Sequence, residues 1–498
     1  IDGTADDGIV TQGQRLQVEV SVWNAGDSAV RVDSVAIDSP SGWSLERLDL
    51  GTPTVAAGAV ITRRFVLTVA RDAERTQPYF LRRPLINRGG LYDWSAVPAD
   101  VRGLPFDPPP VSARVRLSIA GEPVTLTREV VYRYRDQAIG EIRRPLFVTR
   151  DFDVAIAPDE LLWPIDGGSR EPRHFTVTVT NRSRTQPPAA RAVITVPQGW
   201  PPVPAESLVF TREDETKSIT VTLAPPATDS LKPGTLDVRV ATSSSDGRRH
   251  DGALEIIDYP HIRPRALARP SVAQIRVARL SLPALSRVGY VRGASDRVPE
   301  ALAAVGVPLE VISADSLARG DLSRYDAIVI GSRAYETEPA LVANNGRVLD
   351  YVKNGGLLVV QYQQYPFVDG GFAPYPLHIA RPHDRVTDET AAVTLLEPSH
   401  PAFHYPNEIG TDDWRGWVQE RGLYFAHDWD TTYVPLLETH DPPPNPPQEL
   451  KGALLVAPVG RGTYVYTGLS FFRQLPAGVP GAYRLFVNLL GLKRKTVP

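Results

Sequence analysis

The chain has 498 residues, 42% hydrophobic and 22% charged, with a formal net charge of −3. That length suggests about three domains, and the charge balance gives no reason to expect nucleic acid or an anionic membrane as partner. No apolar run approaches the roughly 20 residues of a membrane-spanning helix. Cysteine is absent, which excludes disulfides, thiolate metal sites and cysteine nucleophiles together. Methionine is absent too, and the chain opens on the polar stretch IDGTADDG. We read it as a piece of a longer, exported protein whose signal peptide is not in view. Arginine greatly outnumbers lysine, which we read as genomic composition.

The first half alternates with period two. Arg15–Asn24 and Arg173–Asn181 read as strands with one apolar face, each ending at an asparagine. Each leads to a Pro-x-Gly-Trp turn, with Pro40, Gly42 and Trp43 in the first copy and Pro197, Gly199 and Trp200 in the second. The interval from asparagine to tryptophan is nineteen residues in both copies. Ala59–Ala70 then matches Thr216–Pro225. Such spacing predicts two related immunoglobulin-like β-sandwiches, over residues 1–150 and 151–260. Trp43 and Trp200 read as end caps of the sandwiches, with sugar-stacking platforms as the alternative.

The first copy carries a long excursion, Thr76–Val111, rich in aromatic residues and arginine. Tyr79 and Trp94 within it are candidates for domain packing or for gripping a glycan. Residues 261–282, with two prolines and five arginines, read as a solvated linker.

From residue 283 to the end the pattern becomes α/β. RVGYVRG, PLEVIS, YDAIVIGSRAY and LLVVQYQQ read as strands of a mostly parallel, flavodoxin-like sheet. SDRVPEALAAVG reads as a helix capped by Ser295, and Pro339–Gly356 as one helix closed by glycine. Ala453–Phe472 reads as a hairpin, Gly481–Leu492 as a final helix, and Asp441–Leu450 as a surface loop. Ligands of such sheets sit beyond the carboxyl ends of the strands. That places Arg292, Ser295, Asp296, Arg333, Tyr335, Gln361 and Gln363 on a candidate binding rim. In GGLLVVQYQQYPF (Gly355–Phe367) the rim position holds amides, which are neither nucleophiles nor general bases.

Six of the nine histidines lie after residue 377. His400 and His404 are four apart, but Pro401 disfavours a helix through His400 and no glutamate follows it, so no metal site is assigned. FAHDWD offers His427 and Asp428 as an acid/base pair, or as a strand-end loop bonding its own backbone. Asp413 in TDDWRGW is a binding candidate or a helix N-cap with local ion pairing. No phosphate loop and no G-x-S-x-G elbow is present.

The order of parts, with P-x-G-W sandwiches followed by GSRAYE, YVKNGGLLVVQY, DWRGWVQERGLYF and FFRQLPAGVPGAYRLFVNLL, resembles the region downstream of the catalytic domain in large bacterial PIG-L (LmbE-like) family deacetylases. The last part is similar to class I glutamine amidotransferase-like, ThuA-like domains. The resemblance implies a parent enzyme that uses zinc to hydrolyse N-acetylglucosamine-type groups. The family's A-H-P-D-D/E run has no match here: neither His383-Asp384 nor His400-Pro401 has the carboxylates in place. Zinc is therefore expected only in an upstream deacetylase domain acting in cis, and no cofactor in this chain. The amidotransferase cysteine has no counterpart either. The leading expectation is a non-catalytic region that positions the enzyme on glycan or cell-wall polysaccharide. The alternatives are a carbohydrate hydrolase or isomerase using His427, Asp428 or His400, and a polysaccharide-binding adhesin.

Overall fold

A computed structural model describes residues 1–48, 53–83, 92–166, 171–184, 189–226, 231–244, 247–443 and 449–492. Residues 84–91 of the excursion and 444–448 of the Pro-rich loop lie outside the described residues, so the readings made for those positions carry no structural account.

In the first domain, alternating apolar residues of Arg15–Trp23 point inward and the strand pairs antiparallel with Val60–Thr68. One strand, Glu122–Asp136, joins the two layers. Its first half pairs with Ser112–Ile119, and Val130–Tyr132 pair in parallel with Gly3–Ala5. The layers close over Val18, Val20, Val35, Phe65 and Val115.

The second domain repeats this plan. Arg173–Asn181 pairs antiparallel with Thr216–Leu223, as its counterpart does in the first. Gly42 and Gly199 both take φ of +85°, a conformation glycine adopts without steric cost. Asn24 and Asn181 both accept from the N–H two residues on, at 3.1 Å, and donate to loop carbonyls. The matched asparagines thus pin equivalent loops. Trp200 is buried edge-on against Trp163, centroids 4.9 Å apart, whereas Trp43 is half-buried.

The expected linker is not a linker. Val272–Ala278 is an inner strand of the second sandwich, antiparallel to Gly234–Ser244 and parallel to Glu160–Pro164. Arg265–Pro270 pairs with Gly252–Ile257. Ala273, Ile275 and Val277 are buried while Gln274 and Arg276 are not. This two-residue alternation is a strand signal that the prolines and arginines obscured. The second domain therefore runs to about residue 278.

After residue 283 a seven-stranded sheet forms the centre. Its order is Leu309–Val311, Val288–Val291, Ala327–Ile330, Leu357–Val360, Gly462–Thr467, Leu454–Val459 and Val434–Pro435. The first five strands are parallel and the last two antiparallel to their neighbours. Leu302 and Phe486, from the Val298–Ala304 and Pro480–Leu490 helices, cover one face. Leu317, Leu341, Val348 and Val352 cover the other. Two local expectations fail. Ser295 is not a cap but a left-handed residue at φ +48°, and Asp296 accepts from Val298 N–H at 3.0 Å instead. The Pro339–Gly356 helix is two helices, Pro339–Ala343 and Asn345–Lys353. Asn344 breaks them, its side chain donating to the Ala340 carbonyl at 2.8 Å, the local competition with helix that asparagine offers.

Candidate functional site

The carboxyl ends of three adjacent strands meet in a tight crossing. A Cβ on Gly331 would lie 2.2 Å from Asp296 Oδ2, and one on Gly293 would lie 2.0 Å from the Ser332 carbonyl. Only glycine lets these backbones approach so closely. Beneath the crossing, the Tyr290 hydroxyl donates to Asp296 Oδ2 at 2.7 Å and accepts from Gln361 Nε2 at 2.7 Å. Burial, and then the Asp296 charge, push the Tyr290 phenol well above its ordinary value, so it stays a donor. Gln363 donates to the carbonyls of Gly331 and Gln361 and accepts from Tyr335 N–H. Tyr335 is buried and donates to Asn345 at 2.6 Å. Gln361, Gln363 and Tyr335, expected to face a ligand, are thus turned inward and fasten the rim.

The rim also has a sharp strand-to-helix elbow. It follows Ala327–Ile330, and Arg333 occupies its left-handed position at φ +61°. Arg333 projects a half-exposed guanidinium that pairs with Glu336 at 2.9 Å.

Around Arg333 stands an aromatic wall. Tyr362 stacks on Tyr424 with centroids 5.8 Å apart and packs on Phe472 at 5.0 Å. Tyr365 meets Tyr424 edge-on at 5.5 Å, and Arg381 lies 4.2 Å over the Tyr365 ring. His383 stacks flat on Tyr424 at 3.8 Å. Burial first, then Arg385, lower the His383 pKa, so its imidazole is neutral at pH 7. Burial pushes the Tyr362 phenol up to about 12. Glu420, almost wholly buried, anchors Arg385 at 2.9 Å and Arg473 at 2.7 Å. Sequence reasoning missed Tyr362, His383, Glu420, Tyr424 and Arg473 as a set, because they come from separate loops with no local spacing to link them.

The remaining candidates scatter. His427 Nδ1 bonds Asp384 Oδ2 at 2.7 Å, next to His383, while Asp428 is exposed and accepts from Trp429 N–H. The partner of His427 is therefore Asp384 and not Asp428. His400 caps a short turn, its Nδ1 accepting from Ala402 N–H at 3.2 Å. His404 instead pairs with Glu408. Asp413 is buried, accepting from Gly410 N–H and from Arg484 at 2.6 Å, a cap with an ion pair. Tyr79 is buried and its hydroxyl donates to the Leu104 carbonyl; Trp94 leans edge-on against it at 6.0 Å. Among the described residues, no group of three or more His, Asp or Glu side chains could hold a metal ion. No helix among them is long and apolar enough to cross a membrane.

Chemically, the rim offers flat apolar faces flanked by planar, charged hydrogen-bonding forks. That combination suits a ring with polar substituents in its plane. His427, oriented by Asp384 and open on its other nitrogen, has the geometry of a general base.

Residues 10–82 match the model of the NPCBM-associated, NEW3 domain of alpha-galactosidase. No curated protein matches the chain. Among solved structures, a cold-adapted β-galactosidase from Rahnella sp. R3 is similar at 16% identity and a TM-score of 0.23, over 42% of this chain and 32% of that one. This chain thus matches about a third of that protein's length. The first sandwich is similar to an accessory domain associated with carbohydrate-active enzymes.

Proposed function

We propose that this chain is the non-catalytic accessory region of a carbohydrate-active enzyme, placing that enzyme on glycan. The observation that carries the reading is the NEW3-type match over residues 10–82. The second sandwich, built on the same asparagine and P-x-G-W plan, extends it. The enzyme it serves is a PIG-L-type deacetylase, on the strength of the sequence resemblance, and the domain after residue 283 is an amidotransferase-like binding domain with Arg333 at the elbow. The test uses the purified chain on insoluble chitin and peptidoglycan, with and without added zinc. Retention on the polysaccharide without release of acetate is expected. Acetate release by this chain alone, or no retention on either polymer, sinks the reading.

A second reading has one observation in its favour, the 2.7 Å pairing of His427 with Asp384. On it, the last domain is itself a hydrolase or isomerase of sugars with His427 as base. It requires a turnover that His427→Ala abolishes and His427→Gln does not restore.

A further inference from the structure

A cleft of about 540 Å³ lies where the first sandwich meets the Gly252–Pro270 hairpin. That is within the ordinary size range of small-molecule sites. Its walls come from five stretches: the Pro40–Trp43 turn, Ala70–Pro78, the Phe106–Pro110 run, Pro145–Val148 and Arg263–Ala266. The stretches are tied to one another. Arg75 donates to the Gly252 carbonyl at 2.7 Å, Gln77 Oε1 accepts from Ala268 N–H at 2.6 Å, and Thr76 N–H donates to Val148. The cleft is therefore a built feature of the domain junction.

Its lining has a definite chemistry. Trp43 and Phe106 supply aromatic surface, and Arg263 lies over the Phe106 ring at 5.3 Å. Arg263 also pairs with Glu129, and Arg82 with Asp107 at 3.5 Å. Burial raises both carboxyl pKa values, although both side chains keep some exposure to solvent. The buried Nε of Arg75 has no hydrogen-bond partner, an unmet donor in a wall of the cleft. Four arginines and four carboxylates line the space, so the net charge selects neither an anion nor a cation. Paired forks with aromatic faces, and no net charge, are what a neutral, polyhydroxylated ring recognises: bidentate groups for adjacent hydroxyls, and the rings for its C–H face.

We propose that this cleft, walled by Trp43, Phe106, Asp107 and Glu129, binds a neutral oligosaccharide. The inference rests on the carbohydrate reading above and locates it at a place distinct from the rim around Arg333. It also explains why the P-x-G-W turn differs between the copies. Trp200 is buried against Trp163, whereas Trp43 is only partly buried and stands at the cleft wall.

The test is calorimetric titration of the full chain with triacetylchitotriose and, separately, a galactotriose, on wild type, Trp43→Ala and Glu129→Ala. Glu129→Ala serves because its partner Arg263 is half-exposed and tolerates the loss, should Trp43→Ala fail to fold. Saturable binding of at least one trisaccharide is expected, weakened about tenfold or more by either substitution. Binding unchanged in the folded variants overturns the cleft and leaves the carbohydrate reading standing, with the sugar bound elsewhere. Absence of binding by either trisaccharide also overturns the cleft, while the polysaccharide-retention experiment decides the broader reading separately.

Discussion

The Tyr290 hydroxyl stands between Gln361 and Asp296, 2.7 Å from each. The three residues come from two strand ends and a loop, so one buried hydroxyl joins the edge of the parallel sheet. Gln361 is not a ligand-facing amide but a donor spent on this bridge. Tyr290→Phe removes the bridge without changing the packing volume. It leaves the Gln361 amide and the Asp296 carboxylate each short of one partner. A loss of about 1–3 kcal/mol is expected, measured by urea unfolding. A loss below about 0.5 kcal/mol would mean that water replaces the hydroxyl.

Arg333 holds a left-handed conformation that costs a non-glycine residue about 1–2 kcal/mol. Its ion pair with Glu336, half-open to solvent on the arginine side, returns about 1 kcal/mol. Arg333→Gly is therefore expected to leave stability unchanged or raise it slightly, by thermal melting. A clear drop in stability would show that the guanidinium is there for the fold.

Arg421 is buried, and its guanidinium donates to the Ala391 and Trp414 carbonyls at 2.6 to 3.0 Å. It lies 5.4 Å from the Trp417 ring. Burial lowers its pKa to about 10, so it remains charged at pH 7. Arg421→Met preserves apolar bulk but strands two buried carbonyls. Destabilisation of about 2 kcal/mol or more follows, readable in denaturant midpoint at constant slope.

His400 caps its turn through Nδ1 as an acceptor, which protonation would abolish. Burial lowers its folded-state pKa below the ordinary 6.5. A histidine whose folded pKa is depressed binds fewer protons folded than unfolded, so stability is full above pH about 6.5 and falls as pH drops toward the folded value. His383 acts in the same direction. Melting temperature should decline between pH 6.5 and 5, and His400→Asn, which keeps a cap but cannot titrate, should flatten that decline. An unchanged slope would assign the pH response to other groups.

His427 Nδ1 and Asp384 Oδ2 form a hydrogen-bonded pair open to solvent on the histidine side. Such pairs contribute about 0–1 kcal/mol, so His427→Ala should barely move the melting temperature. Any loss of function in that variant then reads as chemistry rather than unfolding.

Residue order alone determined the periodic parts. The period-two runs at Arg15–Trp23 and Arg173–Asn181, the matched asparagines and the two P-x-G-W turns are local patterns, and backbone geometry converts each directly into strand or turn. The long apolar runs around Val329 and Val359 likewise read as buried strands. What only the tertiary structure decided is which distant residues meet. Residues 261–282 look like a linker until Gly234–Ser244 supplies a partner for Val272–Ala278. Tyr362, Tyr424, His383 and Glu420 form one wall because loops after different strands converge, and His427 meets Asp384 forty-three residues away. Gln361 and Gln363 were legible as polar groups at a strand end. Whether they faced solvent or core depended on Tyr290 and Gly331, and no spacing along the chain encodes that. Local propensity is written in neighbouring residues, whereas a site is written in the closure of the whole sheet.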